Sequence, residues 1–155
     1  MTRSDNRSQI HLPRRDFLAA ALACAALPAR AADTQVFTFD GLYKSVGVMG
    51  IIYSDRLLSA KGQMISLTGY MAPPLKAEST FFVLTREPMA ICPFCQSDAD
   101  WPIDIMVVYL SAMSPLVGAG TKVTVTGRIE IGSWTDPETG FVSQLRLRDA
   151  SYFKV

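Results

Sequence analysis

The sequence predicts an all-β protein: a five-stranded, OB-fold-like Greek-key barrel, with an N-terminal extension and a cleavable signal peptide before it. Three observations lead there. Beyond residue 60, apolar and polar side chains alternate with period two through most of the chain, the mark of strands with one buried face. Such runs number five within about 90 residues, set apart by Gly, Pro and Asp at turn positions, and a β-sandwich would need about seven. Helical signals are confined to two short stretches, and a length of 155 residues suits one domain.

The N-terminus has the layout of an export signal rather than of a folded element. Arg14-Arg15 precede Phe17 and Leu18, an Ala/Leu-rich run extends to Leu27, and Ala29-Arg30-Ala31 is a small-x-small cleavage pattern. The arginine pair followed by Phe and Leu matches the twin-arginine pathway. The apolar run, Phe17 to Leu27, has 11 residues. At about 1.5 Å per residue it falls far short of a hydrocarbon core roughly 30 Å thick. Ala21-Leu22-Ala23-Cys24 is a poor lipobox, since it lacks the larger aliphatic residue three places before the Cys. Release after Ala31 is therefore expected in preference to a lipid anchor at Cys24, and the working protein is expected in the periplasm.

Removing 1–31 changes the composition that matters. The whole chain has 15 Lys+Arg, 14 Asp+Glu, one His and three Cys, whereas 32–155 has 10 basic and 12 acidic residues, no His and only Cys92 and Cys95. Segment 32–60 reads as the extension, packed along the barrel, and 61–155 as the barrel itself. Within 32–60, Phe37-Thr38-Phe39-Asp40-Gly41-Leu42 is followed by Ile51-Ile52-Tyr53, and Ser54 is placed to cap a helical turn through Leu58 that ends at Lys61-Gly62. The strands are expected at 63–71, 80–86, 103–110, 121–131 and 141–147. Ala112 to Val117 is expected to make a helical turn between the third and fourth. Asp136-Pro137-Glu138-Thr139-Gly140 joins the last two, with Pro fixing φ and Gly accepting a positive one.

Without His, the exported portion has no Ser-His-Asp triad, no Cys-His pair, no His-bearing zinc hydrolase site and no His-ligated haem. Gly47 and Gly50 do not form a phosphate-binding loop. Export and a slightly acidic charge disfavour nucleic acid. Asp98, Asp100 and Asp104 could in principle support carboxylate catalysis, but beside Trp101-Pro102 they read as a solvated loop. A non-enzymatic protein is expected.

One constellation stands out: Met89-Ala90-Ile91-Cys92-Pro93-Phe94-Cys95, then Asp98 and Asp100, in the connection between the second and third strands. A loop there can carry chemistry without disturbing the barrel. Three readings are open. In the first, Cys92 and Cys95 close a small local disulfide, which an oxidising compartment permits but which restrains little of the unfolded chain. They supply half of a tetrahedral zinc site, with Asp98 or Asp100 completing it, or with the Met89 thioether a sulfur set suited to copper(I). They could also exchange disulfides, although that chemistry favours a first Cys at a helix N-terminus. Phe81, Phe82, Tyr109 and Tyr152 read as core or sheet-surface residues, and Trp134, beside the last turn, as packing.

The chain also resembles a known group. Ser54-Asp55-Arg56-Leu57-Leu58, Lys61-Gly62-Gln63 and Thr68-Gly69-Tyr70-Met71-Ala72-Pro73-Pro74-Leu75 are followed by Phe82-Val83-Leu84, the Cys loop and Trp101-Pro102-Ile103-Asp104-Ile105-Met106-Val107. This order, over about residues 42–155, resembles exported bacterial proteins of unknown function, some encoded beside ABC-type transport proteins in metal-responsive, chiefly zinc-responsive, operons. The resemblance implies an accessory role in metal handling, with a transporter or another periplasmic protein as partner. Members often have one Cys with a His nearby; here the loop has the Cys pair instead. The expectations are thus a metal-binding module, a thiol–disulfide redox protein, or a structural adaptor with a local disulfide.

Overall fold

The computed structural model describes residues 33–47, 50–74, 80–89 and 101–155. In chain order these form β1 (Gln35–Phe37), a 3-10 turn at Phe39–Gly41, β2 (Tyr43–Gly47), β3 (Gly50–Tyr53) and the short helix α1 (Asp55–Ser59). There follow β4 (Met64–Met71), β5 (Phe81–Thr85), β6 (Ile105–Leu110), β7 (Lys122–Thr135) and β8 (Val142–Lys154). The fold is all-β with one short helix, and each of the five strands read from alternation is present. Ser54 caps α1 as expected: its Oγ accepts from the Leu57 amide at 3.1 Å and donates to the Gly41 carbonyl at 2.7 Å.

Two strands run further than the alternation does. β8 continues seven residues beyond Leu147 because Asp149 adopts φ 50° and the ladder to β7 slips between Thr126 and Arg128. The extra residue changes the phase, so that Leu147 and Ala150 are both buried, three apart rather than two. The strand survives while its period-two signal ends. The expected helical turn at 112–117 is absent; the chain there is irregular. Pro115 has no N–H to give a helix and biases Ser114 towards extended backbone. Its carbonyl instead accepts from the Tyr152 hydroxyl at 2.7 Å.

The strand pairings close on themselves. β4 pairs antiparallel with β5, β5 with β6, β6 parallel with β8, β8 antiparallel with β7, and β7 antiparallel with β4. β4 and β5 share only Tyr70↔Thr85 and Met71↔Leu84. Along the same edge of β4, the parallel strand β1 covers Ile65 to Leu67, which β5 leaves unpaired. β2 and β3 form a separate hairpin.

The larger apolar cluster takes one face of each strand: Ile65 and Leu67, Phe82 and Leu84, Met106 and Val108, Val123 and Val125, Leu145 and Leu147. The N-terminal segment adds Phe37, Phe39, Leu42, Leu57 and Ala60 to this same core. It is therefore part of the hydrophobic core and not a cover laid over it. A second cluster, Phe81, Val83, Ile105, Val107 and Tyr109 with Trp101, Trp134 and Phe141, lies on the opposite face of β5 and β6. Those two strands are buried on both faces. Among the described residues no helix is long and apolar enough to cross a membrane.

Candidate functional site

The connection from β5 to β6, which carries the Cys pair, leaves the sheet at Thr85 and returns at Ile105. Its two ends are fastened to each other. The Arg86 amide donates to the Asp104 carbonyl at 2.9 Å, and the Arg86 guanidinium pairs with Asp104 Oδ1 at 3.5 Å. The same guanidinium pairs closely with Asp40, just ahead of β2. Asp40 and then Asp104 hold the Arg86 guanidinium above its ordinary pKa. The buried Thr85 hydroxyl donates within 2.7 Å of the Glu87 carbonyl, which fixes the next turn of chain.

On the return side, the Trp101 indole donates to the Tyr43 hydroxyl at 3.4 Å. Burial pushes Tyr43 up to about 12, partly offset by the Trp101 bond, with Tyr53 and Asp104 adding to the rise. Its phenol is neutral at ordinary pH, a structural post and not a base.

Two hollows flank Arg86. One, of about 190 Å³, lies between the N-terminal segment and the returning chain, lined by Asp40, Tyr43, Lys44, Arg86 and Asp104 among others. The other, of about 240 Å³, is lined by Thr85, Arg86, Glu87, Met89, Pro102, Asp104 and Ile105. Met89 is the sequence-predicted ligand that the structure describes; it forms part of this second wall and is 36% exposed. Cys92, Cys95, Asp98 and Asp100 lie outside the described residues, as does Cys24. Among the described residues no three His, Cys, Asp or Glu side chains gather as a metal set. Asp104 is committed to Arg86, so its charge is already countered.

Sequence reasoning missed Glu87 and the Asp40–Arg86–Asp104 linkage. Its members are 46 and 18 residues apart in the chain, so no local spacing could reveal them. It also missed a second constellation, around Trp134. Trp134 packs edge-on against Tyr109, with ring centroids 5.4 Å apart, and two arginines from β8 lie over its ring.

No family model matches the sequence, and no curated protein matches it. Among solved structures, the chain is similar to a DUF3299 family protein from Pseudomonas aeruginosa PAO1, with a TM-score of 0.49 and 11% identity, covering 79% of this chain and 97% of that one.

Proposed function

We propose that the protein is an exported, non-enzymatic binding module in which the loop carrying Cys92 and Cys95 holds a soft metal ion, zinc or copper(I). The observation that carries this reading is the position of Met89. Met89 lines a hollow of about 240 Å³ at the start of that loop, three residues before Cys92. Two thiolates and a thioether are a sulfur donor set of the kind copper(I) takes, and two thiolates completed by Asp98 or Asp100 suit zinc. The fastening of Arg86 to Asp104 supports the same reading, because a loop with fixed ends can present ligands in a constant geometry.

The scaffold we propose is a closed OB-like barrel. Numbered along the chain from β4, its pairings run 1-2-3-5-4-1 with a parallel pair between the third and fifth strands, the circuit of that fold. Periplasmic location, through a twin-arginine signal cleaved after Ala31, rests on the N-terminal sequence. An ABC-type transporter or other periplasmic protein as partner rests on the family resemblance.

Native mass spectrometry of the exported protein, loaded with zinc or copper(I) under reducing conditions, tests the proposal. One metal per chain is expected, with loss of binding in Cys92→Ser/Cys95→Ser and weaker copper(I) retention in Met89→Leu. A 92–95 disulfide that persists with no metal under either loading would overturn it in favour of the adaptor. A Cys thiol titrating well below about 8.5, again with no metal, would overturn it in favour of thiol exchange.

A further inference from the structure

Strand β8 carries two arginines, Arg146 opposite Glu130 and Arg148 opposite Arg128. They are used differently. Arg146 has a side chain only 9% exposed, and it donates from Nε to Glu130 Oε2 at 2.6 Å and from Nη1 to the Gly132 carbonyl at 2.8 Å, with Ser143 close by. This is what a guanidinium in a structural role does, since a buried donor left without an acceptor is costly.

Arg148 sits in a corner formed by two aromatic rings. Its Cζ lies 4.0 Å from the Trp134 centroid and 4.2 Å from that of Tyr109, and the two rings meet at 90°. Its one polar contact among the described residues is from Nε to Glu130 Oε2, long at 3.4 Å. A guanidinium carries five N–H donors, and the four on Nη1 and Nη2 have no acceptor among the described residues. The side chain remains 26% exposed. Cation–π contact fixes the plane of the group without using its hydrogen bonds.

Glu130 is shared between both arginines. Asp136 is the other acid nearby: its Oδ1 accepts from the Glu138 and Thr139 amides at 2.8 and 3.2 Å, and its charge acts on the Tyr109 hydroxyl alongside those of Arg146 and Arg148.

We propose that Arg148, held in the Tyr109–Trp134 corner, is a binding site for a carboxylate, taken in a bidentate fork by Nη1 and Nη2. A planar carboxylate matches the fork of the guanidinium, which takes its two oxygens on parallel N–H donors. Because the rings already hold the guanidinium in place, little side-chain freedom is lost on binding. The carboxylate belongs either to a peptide terminus or to a free small acid. The site is independent of the metal reading, since it uses no residue of the Cys loop.

NMR on the full exported chain, 15N-labelled, tests this by following the Arg148 Nε–Hε and Trp134 indole signals. The probes are succinate, a short peptide with a free C-terminus, the same peptide amidated, inorganic phosphate and sodium chloride. A saturable millimolar shift of both signals with succinate or the free-acid peptide is expected, at least tenfold weaker in Arg148→Lys, which keeps the charge and loses the fork. Peptide binding abolished by amidation assigns the site to a protein terminus; binding of succinate alone assigns it to a free acid. No saturable shift beyond that of sodium chloride would overturn the proposal. So would tighter binding of phosphate than of either carboxylate, or unchanged affinity in Arg148→Lys. If that variant fails to fold, Tyr109→Leu, which opens one side of the corner, must weaken succinate or peptide binding; unchanged affinity there overturns the proposal equally.

Discussion

Gly69 is the point at which the circuit of strands is most sensitive to one added carbon. A Cβ built there would lie 2.6 Å from the Thr85 carbonyl oxygen, 2.9 Å from Leu84 Cγ and 3.0 Å from Phe39 Cε2. Ordinary contact begins near 3.4 Å, so β4 and β5 would have to part by roughly 0.8 Å at the carbonyl. That atom belongs to the backbone of a ladder with only two residue pairs and cannot rotate away. Overpacking of this kind costs about 1–3 kcal/mol, and the upper part of the range applies when backbone is the obstacle. The lower chain entropy of Ala in the unfolded state returns about 0.4–1 kcal/mol. The expected net loss for Gly69→Ala is about 2 kcal/mol, a fall in the urea midpoint of about 1 M at a slope near 2 kcal/mol/M. Gly118→Ala is the control, because nothing lies within 4 Å of its Cβ position, and it should stay within about 0.5 kcal/mol of the parent. Equal midpoints for Gly69→Ala and Gly118→Ala would refute the close approach of β4 to β5.

Three further predictions test other parts of the fold. Asp149→Val should lose about 1–2 kcal/mol in thermal unfolding, since a β-branched residue resists φ 50°, while Asp149→Gly should match the parent despite losing its exposed ion pair with Arg128. Ser54→Ala should cost about 1 kcal/mol in the same assay, and Ser54→Asp should recover only part of it, because a carboxylate can accept from Leu57 but cannot donate to the Gly41 carbonyl. For Glu130, burial acts to raise the carboxyl, but the hydrogen bond and charge of Arg146, with Arg148, outweigh it and the folded value is lowered. A lowered folded value means its contribution is complete above the ordinary carboxylate range and is lost as pH falls through the folded value. The stability gap between parent and Glu130→Gln, measured by urea unfolding, should therefore be constant near neutrality and shrink as the pH drops below about 4.

What could be read from the sequence follows from how local each signal is. Strands β4 and β7 announce themselves by period two, because each keeps one face in the core, as Val123, Val125 and Ile129 do against Lys122 and Arg128, while β5 and β6, buried on both faces, show instead as short runs of aromatic and β-branched residues. The cap at Ser54 and the turn at Asp136–Gly140 are equally local. β1 could not be found this way, since three residues are too few to show a period; its pairing with β4 depends on a partner some 30 residues on. The second half of β8 was hidden by its bulge. In the site, the Cys pair and Met89 were legible as a motif, whereas the Arg86 linkage and the Arg148 corner join residues from three separate elements and are visible only once the sheet is assembled.

The order of pairing has a consequence for how the protein is made. β6 finds one of its two partners in β8, and β7 has its long hairpin partner there as well. Until Val142–Lys154 has been synthesised and released, β6 and β7 each display an open edge of unpaired amides and carbonyls, flanked by apolar residues such as Val107, Val108 and Ile129. A nascent chain stalled before that point, or cut there by a protease, would be a template for intermolecular strand addition and not a smaller folded protein. Burial of the sheet edges thus waits on β8: β6 and β7 each keep an open edge until Val142–Lys154 has been laid between them.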